Sequence, residues 1–240
     1  MTIKIAMWSG PRNISTAMMR SFGARNDCAV SDEPFYGAFL KASGEQHPLG
    51  EETIAAMDCN WDSVLAAQSG DAPDGKPYWY QKHMPHHMVG HIDIRDMPDH
   101  RHAFLIRAPE RVVASYRAKN ELRRADLLGF AQLRRYFEME ADRTGTTPLV
   151  VDSDAILRDP AATLKKLCER LDMPWDSAML SWTKGPHPED GVWGAHWYDK
   201  VNASTGFGAP PGALPELDGD YLAVAQACRE DYEALLAHSI

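Results

Sequence analysis

Ile3-Lys4-Ile5-Ala6-Met7-Trp8 runs directly into Ser9-Gly10-Pro11-Arg12-Asn13-Ile14-Ser15-Thr16-Ala17, and this junction decides the fold. The first six residues predict a short buried strand, and the small-residue turn behind them predicts the opening of a helix. The first-turn N–H groups of such a helix have no partners within it. Together with the positive end of the helix dipole and the Ser15 and Thr16 hydroxyls, they converge on one point, which suits an anion with Arg12 as its counter-charge.

Working outward from this junction, period and punctuation predict strands alternating with helices. The strands fall at 3–8, 27–31, 78–83, 102–107 and 149–151, and the helices at 15–22, 51–68, 108–116, 127–141, 161–171 and 221–237. Such alternation predicts an α/β fold, a parallel sheet with helices on both faces. Ile14, Met18 and Phe22 recur at one-turn spacing and face that sheet. Residues 184–219, rich in Gly, Pro and Trp, lack any period, and so long an irregular stretch reads as a functional loop or lid. At 240 residues the chain fits one domain, 1–240, with a core large enough to hold a deep pocket.

Apolar residues make up 44% and charged residues 25%, as in an ordinary globular protein. A net charge of -9 argues against a general nucleic-acid binder, because such affinity rests on many Lys and Arg neutralising phosphates. A polyanionic small ligand would require a local basic pocket instead. The N-terminal stretch reads as a strand, neither a secretory leader nor a membrane span, so a cytoplasmic location without membrane attachment is expected. Cys28, Cys59, Cys168 and Cys228 are widely spaced with no C-x-x-C, as buried free thiols would be. Nothing in the sequence fixes the oligomeric state.

Ligands of an open parallel sheet sit beyond the carboxyl ends of its strands. Arg12, Glu33, His83 and Arg107 each follow an apolar strand and are expected to converge there. Six histidines crowd residues 83–102, some at one-turn spacing, but Pro85 interrupts a helix and the Glu of H-E-x-x-H is missing, so no metal site is expected. Laid on Ser9 to Thr16, the nucleotide-loop pattern G-x-x-x-x-G-K-[ST] fails at its first Gly, its second Gly and its Lys.

The run Pro11-Arg12-Asn13-Ile14-Ser15-Thr16 instead resembles the Pro-[Lys/Arg]-Ser-Gly-[Ser/Thr]-Thr loop of sulfotransferases, with Ile14 where that family has Gly. Arg107-Ala108-Pro109 through Ser115-Tyr116 resembles the family's Arg-x-Pro-x-x-x-x-x-Ser-Tyr signature. Gln81-Lys82-His83-Met84-Pro85 is similar to Lys-Thr-His-x-Pro, without the Thr and with the Lys adjacent to the His. Lys184-Gly185 and Gly191-Val192-Trp193-Gly194-Ala195-His196-Trp197 resemble Arg-Lys-Gly and Gly-x-Trp-x-x-His-Phe. The likeness extends from residue 3 to about residue 198, and the order and spacing of the motifs carry it.

The resemblance implies a P-loop nucleoside triphosphate hydrolase-like fold of the sulfotransferase type. It further implies 3′-phosphoadenosine 5′-phosphosulfate as donor, a small-molecule acceptor bearing a hydroxyl or amine, and no required metal. The implied donor site comprises Gly10, Pro11, Arg12, Asn13, Ile14, Ser15 and Thr16 around the 5′-phosphosulfate, Arg107 and Ser115 at the 3′-phosphate, and Lys184, Gly185 and Trp193 folded over the nucleotide. The resemblance also implies that Arg12 would stabilise the leaving group and that either Glu33 or His83 would take the acceptor proton. Two alternatives remain open at this point: a P-loop kinase of a small metabolite, with Thr16 and Asp32 toward magnesium, and a catalytically silent nucleotide-binding domain.

Overall fold

The structure, a computed structural model, describes residues 2–119, 122 and 124–240. Strand β1 (Ile3–Ser9) lies at the centre of a five-stranded sheet ordered β2-β3-β1-β4-β5. Its partners are β2 (Cys28–Asp32), β3 (Tyr78–His83), β4 (His100–Ile106) and β5 (Leu149–Asp152), and every pairing is parallel. Ile5, Ala6, Met7 and Trp8 are all fully buried, so β1 is covered on both faces, as a central parallel strand must be.

The alternation of side chains divides the core in two. Ile5, Met7, Tyr80, Leu105 and Val151 pack on one face against α1 (Ser15–Gly23) and α8 (Pro160–Arg170). Ala6, Trp8, Phe104 and Val150 pack on the other against α5 (Pro109–Arg117), α6 (Phe130–Thr144) and α12 (Arg229–Leu236). Met18 and Phe22 face the sheet, while Ile14 sits one position before α1. Pro109 at the first turn of α5 has no N–H to leave unpaired, and Glu110 complements the dipole there.

Several elements differ from their sequence-based expectations. The helix expected over 51–68 is two, α3 (Gly50–Ala56) and α4 (Trp61–Ser69), because Met57 is extended and the Asn60 side chain caps α4 by accepting from the Ser63 N–H at 2.9 Å. The closing helix divides likewise at Cys228 into α11 (Gly219–Ala227) and α12. An additional helix, α2 (Tyr36–Ser43), follows β2 and ends on Gly44 at φ 70°. A further turn of helix, α7 (Ser153–Arg158), precedes α8, and the aperiodic 184–219 stretch holds only α9 (Gly194–Trp197) and α10 (Asp199–Asn202).

The strand order reverses direction at β1, with β3 on one side and β4 on the other. The crevice beyond the β1 tip is therefore the place where the loops part.

Candidate active site

A cavity of about 470 Å³ occupies that crevice. The loop after β1 forms its floor, and the loop's backbone carries strain: Arg12 at φ 64° and Ile14 at φ 58° both sit in the left-handed region. For a β-branched residue this costs roughly 1–2 kcal/mol. Ile14 thus keeps a glycine-like backbone at the position where the resembled loop has Gly, and its carbonyl still accepts the Met18 N–H at 3.0 Å. Pro11, Arg12, Ile14, Ser15 and Thr16 line the cavity.

Gly10 and Asn13 serve the loop from behind. A Cβ on Gly10 would stand 2.3 Å from the Leu128 carbonyl oxygen, so only glycine lets the 125–128 turn approach. Asn13 is buried, donates to the Leu105 carbonyl at 3.4 Å and accepts from Ser153 Oγ at 2.9 Å, tying the loop to the ends of β4 and β5. Neither residue lines the cavity.

Arg12 and Arg107, 95 residues apart, meet here. Arg107 Nη1 donates to the Arg12 carbonyl at 2.9 Å, and Arg12 Nε donates to Ser115 Oγ at 3.0 Å. All three residues line the cavity. Burial pulls both guanidinium groups below their ordinary range, with Asp199 partly opposing this for Arg12 and Asp154 for Arg107. Among the described residues neither has a carboxylate at ion-pair distance, and Arg107 Nε is buried with no partner. Two desolvated cations without a matching anion suit an anionic ligand.

Glu33 follows β2 at φ 44° and lines the same cavity. Its N–H donates to the Lys82 carbonyl at 3.0 Å and its carbonyl accepts the Tyr36 N–H at 2.9 Å, which fixes the backbone on both sides. The carboxylate stands 2.7 Å from Lys82 Nζ and 3.8 Å from His87 Nδ1. Burial pushes the Glu33 carboxyl above the usual carboxylate range, and Lys82 pulls it part of the way back.

Lys82 is the residue that sequence reasoning missed. It is fully buried, and its ammonium reaches Asp32 Oδ1 at 2.7 Å, Tyr198 OH at 2.6 Å and Thr16 Oγ1 at 3.3 Å besides Glu33. Burial pushes the ammonium down, but Asp32, Glu33 and Tyr198 outweigh it and hold Lys82 well above the usual lysine range. The available signal was a charged residue in a strand that opens with three aromatic residues, Tyr78-Trp79-Tyr80-Gln81-Lys82, and it does not say which face the lysine takes.

His83 does not reach the cavity, which corrects its expected role as a base. Adjacent strand residues face opposite sides, so with Lys82 toward the cavity His83 points into the other core. It stacks on Trp8 with centroids 4.7 Å apart and approaches Gln81 Oε1 at 3.2 Å. Burial, reinforced by His100 and His102, holds its imidazole well below the ordinary histidine range.

Lys184 and Gly185 also lie outside the cavity: Lys184 is exposed, and the Gly185 N–H donates to the Asn202 carbonyl at 2.9 Å. The wall is formed instead by Trp193, Trp197, Tyr198 and a strap over 204–209. Trp193 is buried against Tyr36 at 5.1 Å, and its indole N–H donates to Tyr198 OH at 3.0 Å, so it braces the Glu33 side of the cavity. The segment is clamped by the Arg20–Asp190 pair at 2.5 Å, with both side chains buried, and by Arg12 Nη1 to the Trp197 carbonyl at 3.5 Å.

The crowded histidines are dispersed. His86 and His87 line the cavity, His100 and His102 are buried residues of β4, and no group of three or more His, Cys, Asp or Glu among the described residues is arranged to hold a metal ion. The four cysteines are free thiols, and no helix among the described residues is long and apolar enough to cross a membrane.

Two solved structures share this architecture. The sulfotransferase from Alicyclobacillus acidocaldarius aligns over 100% of this chain and 98% of its own with a TM-score of 0.57 at 12% identity. The sulfotransferase domain from the Synechococcus PCC 7002 olefin synthase aligns over 94% of each chain with a TM-score of 0.50 at 16% identity. At such identities these show the P-loop-like fold alone. Among curated proteins, the branched-chain-amino-acid aminotransferase-like proteins 2 and 1 of Arabidopsis thaliana are 35% and 37% identical over 98% and 86% of this chain. The chain spans only about two fifths of their length, 41% and 37%. The family model described as Sulfotransferase domain matches residues 3–239, and the chain therefore belongs to the sulfotransferase domain family.

Proposed function

We propose that this chain transfers a sulfuryl group from 3′-phosphoadenosine 5′-phosphosulfate to a hydroxyl or amine of a small-molecule acceptor. One observation carries the reading: Arg12, Arg107 and Ser115 meet in a single cavity, bonded to one another and without carboxylate partners among the described residues, while Glu33 stands on the same wall. The donor has two anionic ends, and the cavity has an anion cradle at the loop after β1 and a second cation at the tip of β4.

In this reading the S–O bond to the bridging oxygen breaks, a bond from the acceptor oxygen or nitrogen to sulfur forms, and the acceptor proton passes to a Glu33 carboxylate oxygen. The products are the sulfated acceptor and 3′-phosphoadenosine 5′-phosphate. Arg12, the N–H groups opening α1 and the Ser15 and Thr16 hydroxyls stabilise charge developing on the departing oxygen, each donor supplying a few kcal/mol at most. Arg107 and Ser115 hold the remote 3′-phosphate, and binding energy gathered there orients the reacting end.

Thermal stability with added nucleotide tests the reading. Stabilisation by 3′-phosphoadenosine 5′-phosphate without added metal is expected. Stabilisation by ATP with magnesium and not by this nucleotide would point to phosphoryl transfer instead, and no response to either would overturn nucleotide chemistry at this site.

A further inference from the structure

Lys82 is surrounded by more acceptors than it has protons. An ammonium carries three N–H donors. Four oxygens lie within reach of Lys82 Nζ: Asp32 Oδ1 and Glu33 Oε1 at 2.7 Å, Tyr198 OH at 2.6 Å and Thr16 Oγ1 at 3.3 Å. These come from β2 and the residue behind it, from the segment carrying α9 and α10, and from the helix opened by the loop after β1. Asp32 shares the charge through Oδ1, and its Oδ2 is turned away to accept from Tyr198 OH at 2.7 Å and from the Gly191 N–H at 3.3 Å. Glu33 Oε1 stands 2.7 Å from Lys82 Nζ as an ion pair and has no other ion-pair partner among the described residues, so the ammonium is the one cation that holds that oxygen.

We propose that Lys82 is the positioning residue of the candidate base: its ammonium holds the Glu33 carboxylate ionised and aimed along the cavity wall, and locks the Trp193–Tyr198 segment and the Thr16 end of the donor loop to it. The proposal rests on the reading of Glu33 as the group that accepts the acceptor proton. The other groups facing Glu33 cannot replace Lys82. Asp32 from β2 is itself a carboxyl group and no cation, Tyr36 from α2 and Tyr198 are phenols held neutral by burial, and burial holds His87 well below the ordinary histidine range. Without Lys82, a buried Glu33 beside Asp32 keeps its proton and cannot take another.

The test reads the carboxyl directly. In the full chain with carboxyl-labelled glutamate, the Glu33 carbon resonance is identified by its loss in Glu33→Gln and titrated in wild type, Lys82→Arg and Lys82→Met. Lys82→Met is expected to move the Glu33 titration up by more than about one pH unit, a tenfold or greater fall in the ratio of carboxylate to acid at fixed pH, and Lys82→Arg is expected to restore most of it. Because Lys82→Met strands Asp32, the double variant Lys82→Met/Asp32→Asn is titrated beside it as the form that retains its fold. An unchanged Glu33 titration in folded Lys82→Met, or in the double variant compared with Asp32→Asn alone, overturns the proposal, because loss of the Asp32 charge by itself lowers the Glu33 titration; a role confined to stability would lower the melting temperature and leave the titration where it was. Wild-type affinity for 3′-phosphoadenosine 5′-phosphate is measured separately by calorimetry. Its absence would remove the donor reading and the base role with it, while the titration would still report whether Lys82 controls Glu33.

Discussion

Replacing Arg107 by Met separates a binding cation from a structural one. The methionine keeps most of the aliphatic volume and removes the guanidinium, which among the described residues makes one hydrogen bond to protein, Nη1 to the Arg12 carbonyl at 2.9 Å, and has a buried Nε with no partner. Losing that bond costs about 1 kcal/mol, and releasing a desolvated charge with no ion-pair partner offsets a comparable amount. The unliganded protein is therefore expected to melt within about 4 °C of wild type. Binding should respond quite differently. Each charge-assisted hydrogen bond to a phosphate is worth about 1.5–3 kcal/mol, so affinity for 3′-phosphoadenosine 5′-phosphate should fall about 10- to 150-fold. Calorimetry on both proteins with scanning melts of each decides the matter. Affinity within about threefold of wild type, with a melting point lowered well beyond 4 °C, would refute the reasoning and make Arg107 a structural residue.

The remaining expectations are equally direct. Glu33→Gln should lower turnover by about 10²- to 10⁴-fold while leaving nucleotide affinity nearly unchanged, as steady-state kinetics and calorimetry would report. Gly10→Ala should destabilise the fold by about 1–3 kcal/mol, since its Cβ would meet the Leu128 carbonyl oxygen at 2.3 Å, and urea midpoints measure this. His100 and His102 are buried, and burial lowers each imidazole to about 4. Below an unfolded value of about 6.5 the unfolded chain takes up protons that the folded chain refuses. Stability is thus complete above that pH and declines toward pH 4, by about 2 kcal/mol per histidine at pH 5, and equal urea midpoints at pH 7.5 and pH 5 would contradict it.

What the sequence disclosed was local. The run into Thr16 carries strand period, turn chemistry and helix opening within a dozen residues, and Arg107 to Ser115 carries the same information at β4 and α5. The break between α3 and α4 was legible in principle, because Asp58-Cys59-Asn60 offers helix caps, but the flanking amphipathic pattern masks it. The choice between Lys82 and His83 was not legible. Two adjacent polar residues in a strand must face opposite sides, and which one meets the cavity is set by register against β1, where Lys82 pairs with Met7 and His83 with Trp8. Neither could the aperiodic 184–219 stretch be placed, since its position depends on long-range partners such as Arg20 to Asp190 and Asp32 to Tyr198.

In the proposed reaction two arginines from separate strand tips grip one nucleotide. A crystal structure of the chain with 3′-phosphoadenosine 5′-phosphate measures this most directly. The 5′-phosphate is expected against the loop from Pro11 to Thr16 and the 3′-phosphate within hydrogen-bond distance of Arg107 and Ser115. A nucleotide bound elsewhere, or bound here with neither guanidinium on a phosphate, would contradict the account.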